Sequence, residues 1–318
     1  MTAHQQDIES YGSLSDVLQQ SESSEDADQS SDKYAVLKPL HRALLMMLDD
    51  FASVCERNGL KWCAHYGTAI GALREGGFIP WDEDIDLLMP RTHLDRAVAL
   101  FQSGEWRNKY QVINAELDPN YPMATTRIML RGTKCCDSAL DSMDFDSGIF
   151  LDLFPLDDLA DDDAAYKKQL RGAWVNNKLA MAKLVKNPYI AGTGLKSAIL
   201  RTGTKIAHGV LNLPGVSLID FNKRSLAACK RFQGQSTRRV GFACDTTPTM
   251  DVYERDDFEP LRWVPFEDTR IPLPNKVEKH LDELYGDWRT PIDASLRDEH
   301  FPDILELGPY ADRFGARK

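Results

Sequence analysis

Residues 67–90 read GTAIGALREGGFIPWDEDIDLLMP, and four of the five residues from Asp82 to Asp86 are acidic. They lie between an apolar Phe-Ile-Pro-Trp segment and an apolar Leu-Leu-Met segment. Carboxylates this close repel one another, and nearby apolar surface disfavours their charged forms unless a positive group joins them. The stretch therefore predicts a bound cation among these side chains.

The alternation of acidic and apolar residues indicates which cation. On a strand, side chains point to alternate faces, so Asp82, Asp84 and Asp86 would share one face if the strand begins early enough. Ile85 and Leu87 would then point into the core. Residues two apart on a strand lie about 6.5–7 Å apart, so two carboxylates can reach one ion. Hard oxygen ligands that leave coordination positions open are typical of a Mg²⁺ or Mn²⁺ site.

Three other interpretations compete with this metal site. An EF-hand loop that starts at Asp82 requires Gly at position 87 and Glu at position 93, and the chain has Leu87 and His93, so this interpretation fails. A solvated acidic turn and the D-x-D motif of a sugar-nucleotide glycosyltransferase stay open, because one D-x-D is a weak signal. Gly67 and Thr68 favour the metal site, since backbone N–H groups and a hydroxyl at a helix start can bind a phosphate.

The 318-residue chain is 42% hydrophobic and 27% charged, which is typical of a globular protein. We expect residues 1–33, rich in Ser, Gln, Asp and Glu, to form a disordered acidic tail. Alternating helix and strand patterns predict an α/β catalytic core over residues 34–160. Residues 161–239 are predicted to be a basic, mostly helical region, and residues 240–318 a C-terminal part that packs on the core.

Charge is unevenly distributed along the chain. The net charge is −11, yet residues 167–239 contain fifteen Lys and Arg and one acid, Asp220. Such a region suits an anionic glycan or a lipid-linked acceptor at an anionic membrane, while a solvated basic surface is the alternative. Nucleic acid is not expected as a partner, because the whole chain is acidic and contains no recognisable nucleic-acid module.

The chain also carries no apolar run of the ~18 residues that a membrane span requires. Its first residues lack a basic segment followed by an apolar one, so no secretory signal is predicted. We therefore expect a cytoplasmic protein, whose association with a membrane would be peripheral, at the inner face.

Four motifs follow one another between about residues 37 and 300. They are HYGTAIGALREGGFIPWDEDIDLLM, RIMLRGT, GIFLDLFPLDDL, and FEDTRIPLP with LDELYGDWRTP. In sequence and order they resemble the signature, the basic strand, the second acidic block and the C-terminal portion of the LicD/fukutin family of phosphotransferases. The resemblance implies an α/β, nucleotidyltransferase-like fold with a mixed sheet flanked by helices; the basic helical region matches the family only loosely.

The resemblance also implies an activity. Members of the family transfer a phospho-alcohol group, such as phosphocholine or ribitol phosphate, from a CDP-alcohol donor to a glycan hydroxyl, with a divalent metal. This chain is thus expected to be a Mg²⁺- or Mn²⁺-dependent transferase that releases CMP and acts on a glycan or cell-surface polymer precursor. The resemblance assigns the metal to Asp84 and Asp86, the next acidic site to Asp152, and the phosphate-facing helix start to Gly67 and Thr68.

Other residues have expected roles with alternatives. Asp152 is either a further metal ligand or the base that takes the acceptor proton. Arg74 and Arg127 are candidates to bind diphosphate oxygens, with a surface salt bridge as the alternative for each. His65 is expected to be structural, because a lone histidine is not a ligand set. Nucleoside monophosphate transfer and a non-catalytic binding module stay open as functions, although the intact acidic pair argues against the latter.

Overall fold

The structure is a computed structural model that describes residues 34–136, 147–186, 194–217, 219–245, 247–293 and 302–315. The predicted acidic tail lies outside these residues. Pro39–Lys318 cluster as one compact unit, and the residues described before it form a 3₁₀ turn, Tyr34–Leu37, that leads into the first helix.

The described residues form ten α-helices and eleven strands. The helices are α1 (Lys38–Asn58), α2 (Tyr66–Arg74), α3 (Arg91–Phe101), α4 (Trp106–Lys109), α5 (Asp163–Leu184), α6 (Leu195–Leu211), α7 (Phe221–Cys229), α8 (Arg255–Phe258), α9 (Val277–Tyr285) and α10 (Ala311–Phe314). The strands are β1 (Cys63–Ala64), β2 (Asp86–Pro90), β3 (Tyr110–Ile113), β4 (Thr126–Leu130), β5 (Lys134–Cys136), β6 (Phe150–Leu159), β7 (Arg239–Phe242), β8 (Asp251–Glu254), β9 (Arg262–Phe266), β10 (Thr269–Leu273) and β11 (Ile304–Glu306).

The central sheet is mixed. Its strands run in the order β1-β2-β6-β4-β3, and β7 and β8 continue it along the second half of β6. β2 and β6 are parallel, whereas the other neighbours are antiparallel. Because β6 is ten residues long, residues 150–153 pair with β4 and residues 157–159 pair with β7. The predicted α/β fold with a mixed sheet and flanking helices is confirmed.

The core explains why the sequence forms these elements. The three- and four-residue spacing of apolar side chains along α1 places them on one helix face, where each is at most 1% exposed: Leu40, Leu44, Leu48, Phe51 and Cys55. β2 is buried on both faces, since Leu87, Leu88 and Met89 are fully enclosed. An acidic segment thus leads directly into a strand that has no contact with solvent along its centre.

The start of β2 differs from the sequence prediction. The strand begins at Asp86, so Asp82 and Asp84 lie in the preceding loop and do not alternate with Asp86 along one strand. The reason is the short partner strand, because Tyr66, with φ +40°, turns the chain into α2 two residues after β1 ends. Beyond that point no β1 residue is present to pair with the loop.

The described residues of the basic region are mostly helical and include α5, α6 and α7. Asp162 and Asp220 cap α5 and α7, accepting hydrogen bonds from the N–H groups of Ala165 and Lys223. β9 and β10 then form an antiparallel hairpin whose turn reaches the acidic loop.

Candidate active site

Four carboxylates meet where β2 and β6 begin. They are called the carboxylate cluster below and belong to Asp82, Asp84, Asp86 and Asp152. Asp86 and Asp152 are direct partners in the parallel pair of strands, which places their backbones about 4.8 Å apart. The N–H of Asp152 also donates to the carbonyl of Ile85 at 3.0 Å. The fold therefore brings together three acids that the sequence analysis assigned to a metal from two separate motifs.

The charged forms of these carboxylates are disfavoured in the folded protein. Burial, followed by the neighbouring Asp152, raises the pKa of Asp84 to about 6, although Arg127 opposes the shift. Burial and the adjacent Asp84 also raise the pKa of both Asp86 and Asp82 well above the ordinary value of a carboxyl group. The cluster thus favours any positive group that enters it.

Arg127 offsets part of this charge. It is the cross-strand partner of Asp152, and its Nε donates to Asp152 Oδ2 at 3.3 Å. Its guanidinium carbon lies 3.7 Å from the centre of the Phe150 ring, which holds the group against the sheet. Asp152 Oδ1 is buried and has no hydrogen-bond partner among the residues that the structure describes. One oxygen of this carboxylate is therefore left to bind something else.

The residues fit a divalent cation by their donor chemistry. Asp84, Asp86 and Asp152 supply the carboxylate oxygens that Mg²⁺ and Mn²⁺ prefer, and the buried Oδ1 of Asp152 needs a positive partner. Within the described part of the chain, no three His, Cys, Asp or Glu side chains are already grouped as a metal site. The ion itself would thus have to complete the arrangement.

Gly67 and Thr68 both contact the acidic segment. A Cβ at Gly67 would lie 2.8 Å from Asp82 Oδ2, so any larger residue at the start of α2 would require this carboxylate to move. Thr68 is 3% exposed, and its hydroxyl oxygen accepts a hydrogen bond from the N–H of Asp86 at 2.9 Å. The structure thus places Thr68 inside the protein, where it positions Asp86, rather than with its hydroxyl oxygen facing a phosphate.

Arg74 lies at the other end of α2. Seven residues separate it from Gly67, which corresponds to about 10 Å along the helix axis. Its Nε donates to Glu75 at 2.7 Å and its Nη1 to the carbonyl of Trp288 at 2.9 Å. Arg74 thus forms an ion pair with Glu75 in which its own side chain is only 12% exposed, and the structure does not bring it to the carboxylate cluster as Arg127 is brought.

The acidic loop is held by segments far away in sequence. A ring nitrogen of His41, on α1, lies 2.7 Å from the carbonyl oxygen of Asp82. Glu267, in the turn between β9 and β10, accepts from the N–H of Phe78 at 3.0 Å and donates its own N–H to the carbonyl of Gly76 at 2.8 Å. The C-terminal motif therefore fixes the backbone of the first motif.

A separate buried carboxylate, that of Asp251, contacts His65, the residue directly before α2. The three residues His65, Asp251 and His280 are called the His–Asp–His network below. Nε2 of His65 lies 3.0 Å from Asp251 Oδ2, and Nε2 of His280 lies 2.9 Å from Asp251 Oδ1. Burial alone would raise the pKa of Asp251, but the two imidazoles lower it to about 2. His65 is 2% exposed, and its structural role stays a prediction that agrees with this burial.

Sequence reasoning missed two further residues near the cluster, Tyr66 and Asp245. The Tyr66 hydroxyl donates to Asp245 Oδ2 at 2.6 Å, and the Tyr66 ring lies 5.1 Å from that of Phe154. Burial is the main cause that raises the pKa of Tyr285, and the negative charges of Asp86 and Asp245 raise it further. Tyr66 directly precedes Gly67 and could have been noticed for that reason, whereas nothing in the sequence around Asp245 resembles a motif.

A cavity of about 360 Å³ lies beside the start of β4. Its walls include Thr126, which directly precedes Arg127, together with Asn177 and Phe242. The Phe242 ring lies 5.3 Å from the Phe154 ring, which in turn lies 5.1 Å from the Tyr66 ring. Packed aromatic rings therefore connect the cavity wall to the start of α2. The volume is in the range of sites for small ligands.

Comparison with known proteins matches part of this region directly. The family model described as LicD/FKTN/FKRP, nucleotidyltransferase domain, matches residues 59–125. The resemblance to the LicD family is confirmed. The matched residues include the whole acidic segment at residues 67–90, whereas Arg127 and Asp152 lie beyond them.

A curated relative extends the likeness. The protein named lipopolysaccharide cholinephosphotransferase LicD, from Haemophilus influenzae, is 24% identical over 282 residues, which cover 86% of this chain and 100% of the relative. The similarity to the LicD family therefore reaches well past the domain that the family model matches.

Proposed function

We propose that this protein is a metal-dependent phosphotransferase that moves a phospho-alcohol group from a CDP-alcohol donor to a glycan or cell-surface polymer precursor. The observation that carries the proposal is the pairing of Asp86 with Asp152, whose Oδ1 is buried without a partner among the described residues. The similarity to a relative named as a cholinephosphotransferase supports a phosphocholine-like group as cargo.

The chemistry follows from charge and position. The acceptor hydroxyl oxygen attacks the phosphorus next to the alcohol and releases its proton to solvent, the bond from that phosphorus to the CMP oxygen breaks, and CMP leaves. Such transfer depends mostly on orientation and charge neutralisation. When bound, a divalent ion would neutralise charge on the phosphate oxygens, and Asp84, Asp86 and Asp152 would hold it.

The protein's own groups position the carboxylates and bind the donor. Arg127 holds Asp152 through its Nε, and its positive charge offsets part of the negative charge of the cluster. Thr68 fixes the backbone at Asp86. The first N–H groups of α2, beside Gly67, would bind a donor phosphate, because unpaired N–H groups and the helix dipole favour anions there.

The donor's nucleoside would occupy the cavity beside β4. Two of the charged side chains at its walls have partners, since Arg91 binds Asp157 through two hydrogen bonds and Glu116 binds Lys230. Apart from Asp220 and Lys223 the other lining residues are neutral, which suits a neutral, polar nucleoside. Replacing the half-buried Leu226 with Trp fills the cavity and should raise KM for the donor about ten-fold.

The experiment is a donor screen. Purified protein is incubated with Mg²⁺ and CDP-choline, CDP-ribitol, CDP-glycerol or CTP, and release of CMP and of pyrophosphate is measured. We expect CMP from one CDP-alcohol, dependent on Mg²⁺ and absent in Asp152→Asn. If no CDP-alcohol releases CMP with any acceptor preparation, the proposal fails.

Nucleoside monophosphate transfer is the second candidate. It is favoured by the matched domain, which is described as a nucleotidyltransferase domain. The same screen separates the two reactions, because this alternative releases pyrophosphate from CTP and leaves CMP attached to the acceptor.

A further inference from the structure

The basic region exposes an apolar stripe on α6 and the turn that follows it. Ile199, Ile206, Val210 and Leu213 are 62%, 62%, 50% and 52% exposed. Their spacings of seven, four and three residues place them on one side of the helix. Across the described residues, twelve large hydrophobic side chains are strongly exposed, and five of them, including Leu200, lie within residues 199–213. The exposure is therefore concentrated and not scattered.

The stripe is not the face by which α6 attaches to the protein. Leu211 is buried in a small core with Ala180 and Phe221. His208 Nδ1 lies 3.3 Å from the carbonyl oxygen of Ala182, on α5. The helix thus has a narrow buried side and a wide exposed apolar side, and the fold gains nothing from the second.

The charge around the stripe indicates what covers it. Arg201 and Lys205 are exposed on α6, and the sequence contains no Asp or Glu from residue 194 to residue 217. This helix lies within the region that has fifteen basic residues and one acid. A second copy of the chain would bring two such positive surfaces together, which disfavours self-association through this face.

We propose that α6 docks the protein on an anionic lipid bilayer. The stripe would enter the boundary between headgroups and acyl chains, and Lys205 would reach anionic headgroups at its flank. The positive charge of Arg201, on the far side of the helix, would add to the attraction over a longer range. The helix is about 25 Å long. No helix in the described ranges is both long and apolar enough to cross a membrane, so α6 would lie along the surface. The inference does not depend on the proposed reaction.

The test is co-sedimentation of the full chain with vesicles of phosphatidylcholine alone or mixed with phosphatidylglycerol. We expect binding to the mixed vesicles and at least about ten-fold weaker binding in the triple variant Ile199→Ser, Ile206→Ser, Val210→Ser. The matched control, Leu117→Ser with Val175→Ser and Met250→Ser, removes exposed apolar side chains elsewhere and should bind like the wild type.

A second variant, Arg201→Glu with Lys205→Glu, leaves the stripe intact and tests the charge. It should lose the preference for phosphatidylglycerol, and added salt should weaken wild-type binding in the same way. The proposal is overturned if the wild type does not bind the mixed vesicles, or if both variants bind them as the wild type does. It is also overturned if sedimentation velocity shows a dimer that the triple variant abolishes, since the face would then join two copies.

Discussion

The carboxylate cluster and the His–Asp–His network are both built from buried or half-buried acids, and they lie at either end of the same short segment, from His65 to Asp86. In the network, each oxygen of Asp251 has an imidazole partner, and the pKa of Asp251 falls to about 2. In the cluster, the acids raise one another's pKa, and that of Asp84 reaches about 6.

Under the proposed function, this difference separates a structural acid from a functional one. A carboxylate whose two oxygens are satisfied by the protein stabilises the fold and has nothing to offer a ligand. A group of carboxylates that the protein leaves under-neutralised destabilises the folded state until a cation arrives. Substitutions that remove charge should therefore have opposite consequences in the two regions.

The largest expected effect is on activity. Asp84→Asn should lower turnover at least about 1,000-fold and abolish Mn²⁺ binding, because it removes a charged ligand while keeping the shape of the side chain. The melting temperature without metal should stay the same or rise, since repulsion in the cluster is relieved. Calorimetric Mn²⁺ titration and thermal unfolding measure both, with the exposed Asp256→Asn as control. Unchanged Mn²⁺ affinity would remove Asp84 from the site.

The same substitution in the network should act on stability instead. Asp251→Asn should lower the free energy of unfolding by about 3–5 kcal/mol, because the imidazoles of His65 and His280 lose a buried charge partner. Mn²⁺ affinity should stay within about two-fold of the wild type at temperatures where the variant is folded. Urea unfolding gives the first quantity and calorimetry the second. A stable variant with lost metal binding would mean that the two regions are not separate.

The pH dependence of stability should also differ in sign. Asp251 has a folded pKa near 2, below its unfolded value, so its contribution is present above about pH 4 and about 2 kcal/mol is lost as the pH falls towards 2. Asp84 has a raised pKa, so without metal its contribution is present below about pH 4 and is lost as the pH rises through about 6.

Urea unfolding with chelator, across this pH range, checks both signs. Asp251→Asn should remove the loss of stability on the acid side and leave the other change in place. Asp84→Asn should do the reverse. Identical profiles for the two variants would contradict the assignment.

The last comparison concerns the two arginines, and the smallest expected effect is that of Arg74. Arg74→Met should cost about 1 kcal/mol of stability, through the lost hydrogen bonds to Glu75 and Trp288, and should leave the donor KM unchanged. Arg127→Met should lower kcat/KM about 100-fold, because Arg127 contacts Asp152 directly. Steady-state kinetics of the two variants decide this, and a raised donor KM in Arg74→Met would return Arg74 to the site.

The sequence alone determined the fold class and the acids. The apolar pattern predicted helices and strands over residues 34–160, because burial of one face requires that pattern wherever the partner element comes from. The density of charge from Asp82 to Asp86 beside apolar residues already indicated a cation, since electrostatic repulsion between neighbours in sequence does not depend on the rest of the fold.

Only the tertiary structure decided which residues share a site. Pairing of β2 with β6 brings Asp152 beside Asp86, and the antiparallel pairing of β4 with β6 brings Arg127 to Asp152. Arg74 belongs to the signature itself, but it lies at the far end of α2, seven positions after Gly67. Asp251 joined His65 only through contacts between segments far apart in the chain. Local spacing fixes what a segment prefers, but whether a charge is satisfied depends on which distant side chain the packed core places next to it.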